Sequence, residues 1–222
     1  MAEVTYRPYR ESDAPRVKAM INEAFHIHRY AGTPRLLRHA LEIYLRQCLV
    51  ASTYTRVAVL DGRAVGIVMG RVEGHPPFAR RARDRLRLAG HAAMIALTGF
   101  GHYRSLGQYF TFARTYAGLR RDAGGTLGDE LTLFVVDSAT RGTGVGKQLL
   151  THFTDHLRAS GRDDYHLFTD SLCTYEFYER RGLHRAHERT MPLALEGLPS
   201  SVGVFIYTGT ATAPGAGRDA KR

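Results

Sequence analysis

Cysteine is scarce: Cys48 and Cys173 are the only two in 222 residues. Two thiols so far apart in sequence provide neither a disulfide framework nor a zinc cluster. Long apolar runs are missing as well. The apolar stretch near Met94 falls far short of the roughly 20 residues a bilayer requires, so no membrane span is expected. No secretory apolar segment follows Met1, and the cytosol is the expected compartment. There is no Pro/Ser-rich linker and no internal repeat, which points to one domain over residues 1–209. The remainder, 210–222, is small and polar with Pro and Gly, and reads as a disordered tail.

Acidic residues are in deficit, 21 against 31 Lys and Arg, giving a formal net charge of +10. Such an excess suits nucleic acid, anionic lipid or a phosphate-rich ligand. The densest basic run, Arg80, Arg81, Arg83, Arg85 and Arg87, has no interleaved aromatic side chains on which single strands could stack. No helix-turn-helix or zinc-finger pattern accompanies it, so nucleic acid is not the expected partner. The eleven histidines are read as building no metal site.

What the chain does contain is Arg141-Gly142-Thr143-Gly144-Val145-Gly146-Lys147, three alternate glycines with a cation at each end. Ahead of it, Leu131 to Val136 has the apolar, β-branched character of a buried strand, and Asp137 to Thr140 supplies a polar turn. Behind it, Val145, Leu149, Leu150, Phe153 and Leu157 fall on one helical face, and Gly161 stands at a C-terminal cap position. The order is strand, glycine loop, helix. A helix start offers unpaired N–H groups and a positive dipole end, and glycine admits a phosphate close to the backbone, so a pyrophosphate is the expected ligand. A Rossmann G-x-G-x-x-G fails because Lys147 holds the third glycine position. A Walker A loop fails because Arg141 and Gln148 stand where it needs Gly and Ser or Thr.

The spacing that fits is R-x-x-G-x-G, Arg141, Gly144 and Gly146, which resembles the acyl-CoA pyrophosphate loop of the GNAT superfamily of N-acetyltransferases. About thirty residues on, Phe177-Tyr178-Glu179-Arg180-Arg181-Gly182-Leu183 is similar to the "FYxxxGF" segment of the same superfamily. The Asn and Ala that usually precede this segment are Ser171 and Thr174 here. The resemblance implies an α/β GNAT fold: a mixed central sheet of about six or seven strands flanked by helices, over about residues 4–72 and 129–209. The local patterns agree. They predict a strand at Val4–Arg7 and helical faces through Val17, Met20, Ile21, Ala24 and Phe25 and through Leu37, Leu41, Tyr44, Leu45 and Cys48. A hairpin follows across Asp61-Gly62, then a strand at Tyr165–Thr169 and a helix from Leu172 to Arg181 opened by Asp170-Ser171. Residues 74–128 exceed what lies between the third and fourth strands of a simple GNAT domain. Helical stretches at Ala92–Leu97 and Leu106–Ala113, with glycines at Gly90, Gly99, Gly101 and Gly107, read as a helical lid or an oligomerisation element. A homodimer therefore stays open.

The resemblance also implies roles. Acetyl-CoA is the cosubstrate, bound by Arg141, Gly142, Thr143, Gly144, Val145, Gly146 and Lys147 at its pyrophosphate, by the backbone of Val135 and Val136 along its pantetheine arm, and by Ser171. Tyr178 is the general acid for the departing thiolate. Glu130, eleven residues before Arg141 at the start of the strand, is the general base, directly or through water. Cys173 reads as packing rather than a nucleophile, because the family uses direct transfer in a ternary complex. The expected function is acetyl transfer to a primary amine of a small molecule or peptide. An acyl-CoA-binding regulator without catalysis is the alternative favoured by the Ser171 and Thr174 departures, and a nucleic-acid module is a more distant one.

Overall fold

The computed structural model describes residues 3–76, 81–98, 103–124, 127–193, 195 and 197–211. In chain order the elements are β1 (Thr5–Arg7), α1 (Ala14–Phe25), α2 (Ile27–Tyr30), α3 (Pro34–Ala51), β2 (Tyr54–Leu60), β3 (Arg63–Arg71), α4 (Arg81–Thr98), α5 (Tyr103–Asp122), β4 (Asp129–Val136), α6 (Val145–Ala159), β5 (Asp164–Asp170), α7 (Glu176–Glu179), β6 (His184–Pro192) and β7 (Ser201–Thr210). The strands form one seven-stranded sheet in the order β1-β2-β3-β4-β5-β7-β6. Only β4 and β5 run parallel, and they pair through just two register positions, Asp129 with Tyr165 and Glu130 with His166.

Local chemistry accounts for most element ends. Asp61 and Gly62 adopt φ of 49° and 74°, the left-handed pair that a tight β2–β3 hairpin needs. Thr33 caps α3, its side chain accepting from the Leu36 N–H at 3.2 Å, and Pro34 opens the helix. Helix α6 stops where Gly161 turns to φ 68° and the Arg162 N–H reaches back to the Leu157 carbonyl at 3.0 Å.

Helices cover both faces of the sheet. On one side α6 buries Val145, Leu149, Leu150, Phe153 and Leu157 against Ala58, Val68, Leu131 and Leu167. On the other, Val17, Met20 and Ile21 of α1 and Leu45 and Leu49 of α3 meet Val57, Ile67, Met69, Leu133 and Val135. A third cluster, Leu119 with Met191, Val202, Val204 and Ile206, sits under α5. The inserted helices thus join the α1/α3 side: α4 is tied to α3 by Asp84 and α5 to β6 by Asp122. Arg46 is the anchor of the first tie. It is buried at 3% exposure and meets Asp84 at 3.0 Å, Glu42 at 2.8 Å and Glu11. Among the described residues no helix is long and apolar enough to cross a membrane.

One expected element is shorter than its pattern suggests. The helix expected over Leu172–Arg181 shrinks to Glu176–Glu179, because the Asp170 carboxylate accepts from the Leu172 N–H at 2.9 Å and Ser171 pairs with Gly203, committing this stretch to turns. Strand β7 runs on to Thr210, and the Ala211 N–H reaches the Asp163 carbonyl at 2.6 Å. Residues 212–222, where most of the disordered tail is expected, lie outside the described residues, as do Arg80, Gly99 and Gly101.

Candidate active site

The glycine loop is built by different physics at each glycine. Gly142 and Gly144 take φ of 82° and 91°, with nothing within 4 Å of where a Cβ would sit, so the space above them is open. Gly146 differs: its φ is not left-handed, and a Cβ there would make ordinary contacts, 3.4 Å from Phe134 and 3.5 Å from Val136. No side chain caps α6, whose first internal bond runs from the Gln148 N–H to the Gly144 carbonyl at 3.0 Å. The N–H groups of Gly144 to Lys147 have no backbone acceptor among the described residues, whereas the Thr143 N–H reaches the Thr140 carbonyl at 3.4 Å. Arg141 and Lys147 are exposed, and neither joins an ion pair among the described residues. Thr143 contributes less: its hydroxyl donates to the Thr140 carbonyl at 2.7 Å. Asp137 fixes the loop entry, accepting from the Ala139 N–H at 3.1 Å and pairing with Arg16.

Beside this cradle the sheet opens. After Glu130 and His166 the ladder between β4 and β5 ends, while β4 stays paired to β3 as far as Val136 and β5 to β7 as far as Asp170. The facing edges of Leu131–Val136 and Leu167–Asp170 are thus left without each other, a gap that an extended ligand arm with amide groups can enter. The Val135 side chain packs in the α1/α3 core and Val136 against α6, so either residue would serve through its backbone alone.

Tyr178 lies at this gap. Its ring centroid stands 6.2 Å from Phe134 on β4, 5.5 Å from Phe177 and 5.9 Å from Tyr207 on β7. Only 9% of the residue is exposed, and burial raises the phenol pKa strongly, so it holds its proton at neutral pH. Ser171 is partly committed: its Oγ accepts from the Gly203 N–H at 3.0 Å, leaving only its own hydroxyl proton to donate.

Glu130 owes its direction to a β-bulge. Met69 pairs with Leu133 but Gly70 with Leu131, so Thr132 is the extra residue in β4. Leu131 accordingly faces α6, whereas Thr132 bonds Ser52 at 2.7 Å on the α3 side. Glu130 turns to that same side. One of its carboxylate oxygens receives Arg71 at 3.0 Å and Arg120 of α5 at 3.2 Å, and His166 Nε2 lies 3.7 Å away. His166 Nδ1 is 2.8 Å from the Asp129 carbonyl, which assigns the proton to Nδ1 and leaves Nε2 as a buried lone pair. Burial lowers the pKa of this imidazole.

Several residues here escape a reading of the sequence. Arg71, Arg120, His166 and Asp170 carry no motif; only strand pairing and the inserted helix gather them. One signal was legible: His152 and His156 stand four apart on α6, a spacing also used for metal ligands. They pack instead on Tyr6 and Tyr54, at ring centroid distances of 4.8 Å and 4.2 Å. Among the described residues no three His, Cys, Asp or Glu side chains gather around a metal-sized space. Cys173 is desolvated, with its thiol pKa pushed up, and its Sγ is 3.9 Å from the Ala24 carbonyl. A thiol so placed is a poor nucleophile.

No protein-family model matches the sequence, and no curated protein does. Solved structures do. The chain resembles an N-acetyltransferase from Staphylococcus aureus Mu50 with a TM-score of 0.54 at 12% identity, over 95% of this chain and 99% of that one. Its TM-score to the ribosomal-protein-S18-alanine N-acetyltransferase of Escherichia coli is 0.53 at 13% identity, over 99% and 100% of the two chains. To a GNAT-family protein from Desulfovibrio desulfuricans it is 0.50 at 14% identity, over 95% and 100%. The architecture is the GNAT fold, with a helical insertion between β3 and β4.

Proposed function

We propose that this GNAT-fold chain is an N-acetyltransferase that moves an acetyl group from acetyl-CoA to a primary amine by direct attack in a ternary complex. The observation that carries the reading is the meeting of two features: an uncapped α6 N-terminus between two exposed cations that join no ion pair among the described residues, and a β4–β5 gap opening beside it. A ligand with a pyrophosphate and an amide-bearing arm matches both. Arg141 and Lys147 would hold the pyrophosphate with the N–H groups of Gly142 and of Gly144 to Lys147, and the free edge of β4 around Val135 and Val136 would hold the arm. Ser171 has one donor left for an amide carbonyl.

When bound, acetyl-CoA supplies an activated acyl carbon and a thiolate leaving group. Tyr178 holds a proton on its phenolic oxygen for that group, and desolvation keeps the proton in place until a base forms nearby. Glu130 is the acceptor of the amine proton, acting through a water. Two guanidiniums on one of its oxygens, Arg71 at 3.0 Å and Arg120 at 3.2 Å, hold the carboxylate in place.

The test is a broad primary-amine panel with acetyl-CoA, read by release of free thiol. Turnover of any amine at rates above acetyl-CoA hydrolysis supports the reading. Tight acetyl-CoA binding with no amine turned over replaces it with an acyl-CoA-binding regulator, and no binding at all removes both.

A further inference from the structure

Helix α4 has two faces of different chemistry, and its contacts settle which is which. Asp84 is buried and meets Arg46 of α3 at 3.0 Å, and two turns on His91 Nδ1 lies 2.8 Å from Nδ1 of His39, also on α3. Leu88 and Ile95 continue that row at helical spacing and are half-buried. The opposite face is left to solvent. Leu86 is 75% exposed and Leu97 73%, and among the described residues no other large apolar side chain is exposed. Eleven positions apart on a helix, the two leucines point within about 20° of each other and stand about 16 Å apart along the axis.

What surrounds them is equally selective. The other exposed positions of α4 are arginine, alanine or glycine. Arg83 and Arg87 flank the leucine row on one side and Arg85 on the other, and all three are exposed. Arg87 meets Glu11 at 3.1 Å, whereas Arg83 and Arg85 join no ion pair among the described residues. The one acidic residue of the helix, Asp84, is turned inward to Arg46. The outer face is therefore apolar along its centre, cationic on both flanks and without acid.

We infer that α4 is a membrane-contact element that lays its leucine face on an anionic lipid bilayer, with headgroup phosphates received by Arg83 and Arg85. The inference does not depend on the N-acetyltransferase reading. Because both leucines lie on one side, both enter the interface when the helix lies parallel to the bilayer, the way basic amphipathic helices bind. No bulky polar group between them holds them off, and even a Cβ at Gly90 would meet nothing within 4 Å. The flanking guanidiniums then stand at headgroup depth, where each adds attraction to anionic lipid. A second copy of the chain matches this face less well, since pairing two α4 helices would bring guanidiniums onto a surface with no exposed acid. Nucleic acid would receive the arginines and leave the leucines against phosphates. The chain's net charge of +10 attracts any anionic surface, so the test turns on the leucines.

Flotation of the full chain with vesicles of phosphatidylcholine, alone or mixed with phosphatidylglycerol, tests this. Partition into the mixed vesicles should exceed that into the neutral ones about tenfold or more and decline with added salt. Leu86→Ser combined with Leu97→Ser should lower it about tenfold, and Arg83→Ser combined with Arg85→Ser should do the same at low salt. All four side chains are exposed, so the urea midpoint should not move. The chain has no tryptophan, and Leu97→Trp therefore supplies a single reporter, whose emission should shift to the blue on mixed vesicles and be quenched by brominated acyl chains. Unchanged partition of the leucine pair variant would mean that charge alone draws the protein down, and it overturns the inference, as does reporter emission that stays solvent-like. Sedimentation without lipid supplies the rival outcome: a dimer that the leucine variant dissociates would assign the face to a second copy and overturn the inference as well.

Discussion

The proposed donor half of the site and the aromatic half on the α1/α3 side are built in opposite ways. The cradle comes from one continuous stretch, Phe134 to Leu150, in which strand, loop and helix follow one another and Gly142 and Gly144 take left-handed turns. The aromatic side chains on the α1/α3 side come from α1, α2, α3, α5 and β5, far apart in sequence, from Phe25 to Phe168. A contiguous half holds a ligand through backbone and dipole, which any chain of the right conformation can offer. A dispersed half is made of side chains alone, and it changes whenever a loop or an insertion does.

Substitutions can break or sharpen that contrast. The largest expected effect is at the junction of the halves: Tyr178→Phe should cut kcat by about 10²–10⁴-fold with acetyl-CoA affinity intact, by thiol-release kinetics and calorimetry. If affinity falls instead, Tyr178 belongs to the donor half as a packing group. Next is Arg46→Met, on the inserted side only. It leaves the buried Asp84 without its cation, while Glu42 keeps Lys18 and Glu11 keeps Arg87, and should cost about 3–5 kcal/mol in urea unfolding, with acetyl-CoA affinity of the folded protein staying within twofold. A matching loss of affinity would mean that the halves are energetically one.

Glu130→Gln should remove the rise of kcat/KM with pH on its acid side and lower the plateau by about 10²-fold. A parallel profile would assign the base elsewhere. On the donor half, Arg141→Ala combined with Lys147→Ala should weaken acetyl-CoA about tenfold at low salt and less at high salt, because both cations are exposed and screened.

The smallest effect expected is on stability between pH 7.5 and 5.5. Burial lowers the pKa of His39, His152, His156 and His166 in the folded state, so the unfolded chain binds more protons as pH falls below the ordinary histidine value of about 6.5. Stability should therefore drop on acidification through that range, as a lower urea midpoint. Asp170, whose pKa burial raises, opposes the trend. His39 also meets His91 on α4, with Nδ1 atoms 2.8 Å apart, where at most one nitrogen can donate. His39→Gln should flatten part of the slope, and an unchanged slope would clear the α3–α4 contact of any role in it.

Local chemistry made the donor half readable in advance. Gly142, Gly144 and Gly146 between a β-branched run and an amphipathic face announce strand, cradle and helix, because turn geometry and helix ends depend on neighbours a few residues away. Tyr178 and Glu130 were reached differently, through the family resemblance of their segments, and their roles stand as proposals. Local pattern overextended the helix after Asp170, where Gly203, 32 residues on, takes Ser171 out of a capping role.

What only the tertiary structure decided is which way the carboxylates face and what meets them. A single extra residue in β4 directs Glu130 away from α6, and the inserted α5 then brings Arg120 onto it and Tyr116 onto Asp170. Those outcomes depend on register between strands and on the docking of a helix distant in sequence. No local pattern encodes them, because a one-residue change of register leaves composition untouched while exchanging the two faces of the sheet.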